Sequence, residues 1–154
     1  MKWVHMVLGF VFSIARIVFG FMWIQSGYEK LTGGFGVESL IPVIAQNTDS
    51  PEWFKEFFAN VVSPYSSLFD IIIPWGELLI GVGLLIGLFI TPALVMSIFV
   101  NVNYILGDMI FTYPTQILFA TILLVALPYT ALISTGRFIC KKRKSSKDMM
   151  DVRT

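Results

Sequence analysis

The chain has 154 residues, of which 56% are hydrophobic, 15% aromatic and 14% charged. A soluble domain usually carries about 25% charged residues, so this composition is typical of a protein whose surface faces lipid. The net charge of +1 gives no reason to expect a nucleic-acid partner. With 1 cysteine and 1 histidine, an internal disulfide and a bis-histidine haem site are excluded. The sequence therefore predicts an all-α membrane protein with no metal site and no redox centre of its own.

Four apolar stretches are long enough to cross a bilayer, for which about 20 residues per helix are needed. They run over residues 3–27, 68–90, 92–110 and 115–135. The first follows Lys2 as a signal peptide would, but it is too long and no small-residue cleavage site closes it, so we expect it to be retained. Pro92 suits the first turn of a new helix and predicts a tight hairpin between the second and third spans. We predict a four-helix transmembrane domain over residues 1–136.

The predicted outer loop, residues 31–67, holds a helix signal of its own. Ser50 followed by Pro51 is typical of a helix start. Apolar side chains then recur at three- and four-residue spacing, and the aromatic ones among them are Trp53, Phe54, Phe57 and Phe58. This spacing predicts a short amphipathic helix that lies in the membrane interface. The helix is either a simple interfacial anchor or a lid over a pocket between the spans.

Basic residues are concentrated near the end of the chain. The tail at residues 137–154 holds seven of the 11 Lys and Arg residues, whereas the outer loop has four acidic residues and one lysine. Because cytoplasmic segments are enriched in Lys and Arg, we expect a multi-pass cell-membrane protein with both termini cytoplasmic and the loop outside. The tail is either a topology anchor or a site for anionic lipid headgroups. Cys140 within it is either an idle thiol or a palmitoylation site.

Polar residues occur in the middle of the predicted spans. They are Arg16, Glu77, Asn101 and Asn103. A charge at the bilayer centre costs about 2.5–3.5 kcal/mol on insertion scales, so such groups are usually paired or functional. Counted from the predicted span ends at 1.5 Å per residue, three of them lie about 13–16 Å deep. We predict a buried Arg16–Glu77 pair, completed by an amide and near Tyr104, which either fixes helix register or forms the floor of a ligand cavity.

A second polar belt lies nearer the predicted outer face. Its members are Gln25, Glu29, Lys30, Asp70 and Asp108. Trp and Tyr are enriched at membrane interfaces, and Trp23, Trp75 and Tyr104 surround this belt. In the second span, Gly83 and Gly87 form a GxxxG pair that predicts a close helix contact.

These motifs resemble those of a known family. The first span resembles the first-helix signature of the DoxX/DoxD-like membrane proteins in the run Arg16-x-x-x-Gly20-x-x-Trp23-x-x-Ser26-Gly27-x-x-Lys30-Leu31. The second span resembles their second-helix signature in the run Gly76-Glu77-Leu78-x-x-Gly81-x-Gly83-Leu84-Leu85-x-Gly87, and Asn101 is also similar to the family pattern. The resemblance covers residues 12–135. It implies that the functional polar residues are Arg16, Lys30, Glu77 and Asn101.

The resemblance also implies a class of function. The family takes its name from the small membrane subunit of archaeal thiosulfate:quinone oxidoreductase, and other members belong to redox or detoxification complexes of bacterial membranes. We therefore expect a subunit of a quinone-linked oxidoreductase that binds a quinone, or another amphipathic small molecule, beside a redox partner subunit. Two alternatives stay open. One is a non-enzymatic scaffold or homo-oligomer that anchors a partner, and the other is a transporter of small molecules or lipids.

Overall fold

The computed structural model describes residues 2–131, and every regular element in that range is helical. In chain order these elements are α1 (Lys2–Thr32), a 3-10 turn (Val37–Ser39), α2 (Leu40–Gln46), α3 (Glu52–Phe57), a π-helical turn (Phe58–Val62), α4 (Ser66–Ile86), α5 (Ile90–Leu106), α6 (Tyr113–Val125) and α7 (Leu127–Thr130). The predicted all-α class is confirmed for this part of the chain. The predicted basic tail, Cys140 and the last residues of the predicted fourth span lie outside the described residues.

The long helices surround one apolar core. α1 packs against α4, α4 against α5, α5 against α6, and α7 returns to α1. The core side chains are Phe19, Trp23, Ile80, Leu84, Ile90, Ala93, Leu94, Ala120 and Leu123. Large apolar side chains also point outward on each of the four long helices, for example Phe21, Leu79, Phe99 and Leu118. A bundle that is apolar on its outside as well as its inside is the pattern of a membrane protein.

Helix length separates the four apolar helices into two groups. α1 from Trp3 and α4 are long and apolar enough to cross a membrane, whereas α5 and α6 are apolar but shorter, at 17 and 13 residues. α6 ends at Val125 because Pro128 has no backbone N–H to continue the helix. The Thr130 hydroxyl donates to the carbonyls of Leu123 and Ala126, each at 2.9 Å, and so satisfies backbone acceptors at the break.

α1 and α4 run antiparallel and approach each other at glycines. A Cβ atom on Gly81 would lie 2.7 Å from the Gly20 carbonyl oxygen, and one on Gly27 would lie 2.7 Å from the Pro74 carbonyl oxygen. The predicted close contact at Gly83 is made with a different helix, since a Cβ atom on Gly83 would lie 3.3 Å from the Cβ atom of Ala93. Gly83 faces α5, and Gly87 ends α4 in a left-handed conformation (φ 70°) that glycine adopts without strain.

Residues 33–65, the loop segment, fold over one end of the bundle, which we call the loop end. A helix is present at Glu52–Phe57, as predicted, whereas α2 was not predicted. Two hydrogen bonds to aspartate side chains attach the segment to the bundle. The Val37 amide donates to the Asp70 carboxylate at 2.7 Å, and the Asn47 side-chain amide donates to the Asp108 carboxylate at 2.9 Å. The loop segment is therefore fastened to the start of α4 and to the turn between α5 and α6.

Candidate functional site

The Glu77 carboxylate is completely buried in α4 and is the centre of a polar cluster. Lys30 Nζ lies 2.8 Å from each carboxylate oxygen, Ser26 Oγ donates to Oε2 at 2.9 Å, and the Tyr104 hydroxyl donates to Oε1 at 2.5 Å. These four residues, the Glu77 cluster, join α1, α4 and α5. Every oxygen of the buried carboxylate has donors, which is the condition under which a buried charge is tolerated.

The predicted Arg16–Glu77 pair is wrong, because Glu77 pairs with Lys30. The prediction counted depth from Gly27, but α1 continues to Thr32, so that Lys30 belongs to the helix. Helical side chains lean towards the N-terminus, and Lys30 accordingly reaches back one turn, where its Nζ lies 3.0 Å from the Ser26 hydroxyl. This direction of the side chain also brings Lys30 Nζ within hydrogen-bond distance of the Glu77 carboxylate.

Arg16 has a different role, at the far end of α4. It is 1% exposed and its guanidinium donates to the carbonyl of Leu84. Leu84 lies seven residues beyond Glu77, or about 10 Å along the helix. The last four carbonyls of a helix lack intrahelical donors and carry the negative end of its dipole. Arg16 therefore stabilises the buried C-terminal end of α4.

A cavity of about 190 Å³ lies beside the Glu77 cluster, between α1, α5 and α6. Its lining residues are Met22, Trp23, Gln25, Ser26, Glu29, Asn101, Tyr104, Tyr113 and Gln116. Asn101 is completely buried, and neither its Nδ2 nor its Oδ1 has a hydrogen-bond partner among residues 2–131. The indole Nε1 of Trp23 is also buried and has no hydrogen-bond partner in this part of the chain.

Such unpartnered atoms are informative because about 90% or more of buried polar groups are hydrogen-bonded. Leaving one of them unpaired costs about 1–3 kcal/mol. Two donors and one acceptor without partners therefore belong to residues that line the same cavity. This arrangement is suited to a small molecule that offers at least one carbonyl or hydroxyl oxygen.

The other predicted site residues take separate positions. Asn103 is turned away from the cavity and donates to the Phe99 carbonyl of its own helix at 2.8 Å. Gln25 and Glu29 lie at the edge of the cavity, where the Gln25 amide donates to the Glu29 carboxylate at 2.8 Å. Asp70 and Asp108, predicted members of the same belt, instead hold the loop segment, as described above.

The four aromatic residues predicted to form a lid lie elsewhere. Trp53, Phe54, Phe57 and Phe58 contact one another, with the rings of Phe54 and Phe58 5.0 Å apart, and none of the four lines the cavity. Phe54 is buried within the loop segment, and Trp53 is 60% exposed.

Tyr113 and Gln116, at the start of α6, line the cavity but were not among the predicted site residues, and the same is true of Met22 and Ser26 in α1. The ring of Tyr113 lies 4.7 Å from that of Tyr104, and Gln116 follows one turn later. The sequence does contain a signal, because Tyr113 and Gln116 are polar residues three positions apart at the start of an apolar helix. That spacing puts both side chains on one face.

Comparison with known proteins identifies the family. Residues 11–108 match the DoxX family model, and they include all members of the Glu77 cluster and Asn101. Comparisons with curated proteins and with solved structures gave no match. The family match covers well over half of the chain and confirms the resemblance of its helix signatures. The chain belongs to the DoxX family of membrane proteins.

Proposed function

We propose that the protein binds a quinone, or an amphipathic molecule with a similar head, in the cavity between α1, α5 and α6. The observation that carries this proposal is the buried Asn101 amide, which has no partner among the described residues and lines the cavity. A quinone carbonyl would accept hydrogen bonds from Trp23 Nε1 and Asn101 Nδ2. The hydroxyl of the reduced form would donate to Asn101 Oδ1, so one amide serves both oxidation states.

A bound quinone would supply redox chemistry that side chains of this type do not have. The residues of the chain bind and orient the head, and a partner subunit exchanges electrons with it. The Glu77 cluster has a supporting role in this proposal. The Lys30–Glu77 ion pair and the hydrogen bond from Tyr104 link α4 to α1, which carries Trp23, and to α5, which carries Asn101 and Tyr104.

Asn101→Leu tests the proposal. We expect the affinity for a short-chain ubiquinone analogue, measured by titration in nanodiscs, to fall about 2- to 12-fold, since the hydrogen bond from Asn101 Nδ2 to the quinone carbonyl, worth about 0.5–1.5 kcal/mol, is lost. The unfolding midpoint should stay the same or rise, because leucine has the same branched side chain of four heavy atoms and removes two unpartnered polar atoms. Asn103→Leu is the control, since that amide does not face the cavity and should leave the affinity unchanged. Wild-type protein that binds neither ubiquinone nor menaquinone analogues would contradict the proposal, as would unchanged binding by Asn101→Leu.

A scaffold is the second candidate, and the Glu77 cluster favours it. Its hydrogen bonds link three helices and would fix helix register even without a ligand. Native mass spectrometry of protein purified in mild detergent separates the two functions. A bound quinone that is absent from Asn101→Leu supports the binding function, whereas an empty, folded protein in a defined oligomer or partner complex supports the scaffold.

We further propose that α5 and the α6–α7 pair also cross the membrane, with both termini in the cytoplasm and the loop segment outside. From their residue numbers, α5 is about 25 Å long and Tyr113–Thr130 about 27 Å, close to the roughly 30 Å hydrocarbon thickness. Exposed apolar side chains on both support the proposal, among them Phe99 and Leu118.

Cysteine labelling of intact cells tests this topology. In a Cys140→Ser background, a membrane-impermeant thiol reagent should label Asp49→Cys in the loop segment and Met109→Cys after α5. It should not label Thr91→Cys, at the start of α5, until the cells are permeabilised. Labelling of Thr91→Cys in intact cells, or protection of Met109→Cys, would show that the four-span arrangement is wrong.

A further inference from the structure

The cavity has its exposed lining residues on α1. All of its lining residues belong to α1, α5 and α6, and none of them belongs to the loop segment. The exposed lining residues on α1 are Met22, Gln25 and Glu29, which we call the mouth. At spacings of three and four residues they lie on one face of the helix. Met22 is 48% exposed, whereas Asn101 at the back of the cavity is completely buried.

The opposite side of the cavity is closed. Ser26, Tyr104 and Glu77 are joined there by direct hydrogen bonds of 2.9 Å and 2.5 Å, which connect α1 and α5 to α4. These hydrogen bonds close the way between α1 and α4, whereas the mouth on α1 is exposed.

The mouth continues a stripe of α1 that faces away from the protein. Val18 and Phe21 precede it on the same face and are 52% and 60% exposed. The stripe changes from apolar to polar between Met22 and Gln25. α1 has 31 residues and is about 46 Å long, which exceeds the roughly 30 Å hydrocarbon core, so part of the helix extends beyond the acyl chains. A change from apolar to polar side chains, as at the mouth, is suited to the boundary between acyl chains and headgroups.

We propose that this mouth is a lateral opening through which a lipid-dissolved amphiphile enters from the bilayer. Its polar head passes Gln25 and reaches Trp23 and Asn101, while its apolar tail stays among the lipid chains beside Met22. The proposal rests on the proposed function, because it assumes that the cavity binds a ligand. It adds that the ligand partitions into the membrane and that the aromatic residues of the loop segment do not control its access.

Fluorescence of Trp23 tests the opening without any ligand. A variant with Trp3, Trp53 and Trp75 replaced by phenylalanine keeps Trp23, which is 3% exposed and lines the cavity, as the one emitter. In nanodiscs we expect phospholipids brominated on the acyl chains near the headgroup to reduce its emission at least twofold. Aqueous iodide should change the emission by less than a tenth.

Two further variants distinguish quenching by lipid that enters the mouth from quenching by lipid that only lies near Trp23. Met22→Phe fills the mouth and should remove at least half of the lipid quenching, whereas Met6→Phe, on an exposed part of α1 far from the cavity, should leave it unchanged. Quenching by iodide, absence of lipid quenching, or lipid quenching that Met22→Phe does not reduce would each overturn the lateral opening. Because no quinone is present, failure here is distinct from failure of the Asn101→Leu binding test.

Discussion

Replacing Lys30 with methionine is expected to lower the free energy of unfolding by about 3–5 kcal/mol, because Glu77 would be left buried without its countercharge. The Glu77 side chain is 0% exposed and that of Lys30 is 19% exposed, so water replaces little of the lost interaction. Methionine keeps most of the apolar length of lysine. The loss of stability therefore reports the contribution of the Lys30 charge and not that of its apolar packing. SDS titration in mixed micelles, followed by circular dichroism, measures the change.

Two variants act as controls for this result. Lys55→Met breaks the other ion pair of the described residues, Lys55–Glu52, in which Glu52 is 83% exposed; pairs of this kind contribute about 0–1 kcal/mol. The double variant Lys30→Met with Glu77→Leu removes both charges and should recover most of the stability that Lys30→Met alone loses. If Lys30→Met were as stable as the wild type, the ion pair could not be the main support of the buried carboxylate.

Gly81→Ala is expected to destabilise the protein by about 1–3 kcal/mol, because the added methyl group overpacks the contact between α1 and α4. Its Cβ would lie 2.7 Å from the Gly20 carbonyl oxygen and 2.8 Å from the Ile24 amide nitrogen. Both are backbone atoms, which cannot rotate away as a side chain does, so the helices must separate. The same SDS titration measures the loss.

Gly76→Ala is the matched control, five residues earlier in the same helix. No atom lies within 4 Å of a Cβ placed on Gly76. Alanine is favoured over glycine in a helix by up to about 1 kcal/mol, so this variant should be neutral or slightly more stable. Equal destabilisation by Gly76→Ala and Gly81→Ala would mean that the close contact with α1 is not the cause.

The sequence predicts best where composition decides the outcome. The all-α class and the burial of Arg16, Glu77 and Asn101 follow from polar residues placed within long apolar runs, whereas the family follows from the resemblance of two helix motifs. The helix at Glu52–Phe57 follows from local spacing and a capping pattern. α2 was missed because its sequence, LIPVIAQ, has a proline and β-branched residues that disfavour a helix, and contacts such as that of Ile44 with the start of the α5–α6 turn support it.

Pairing of the buried charges could not be predicted, because hydropathy does not mark the end of a helix. Residues Tyr28–Thr32 are polar enough to lie outside a predicted span, yet α1 continues through them until two glycines. The end of α1 is therefore displaced by five residues from its predicted position. Along the helix axis this displacement is about 7–8 Å, and it changes which residues of α1 face a given residue of α4. The shift is enough to exchange Arg16 for Lys30 as the partner of Glu77.

The contact between Arg16 and the Leu84 carbonyl also has a consequence for biosynthesis. The two residues are 68 positions apart in the sequence. At about 5–20 residues per second, the ribosome makes Leu84 roughly 3–14 s after Arg16. During that interval the arginine has no access to the carbonyls of α4, and leaving it among lipid chains is costly. We therefore expect α1 to stay at the insertion machinery until α4 is complete, so that the two helices leave for the bilayer as a pair.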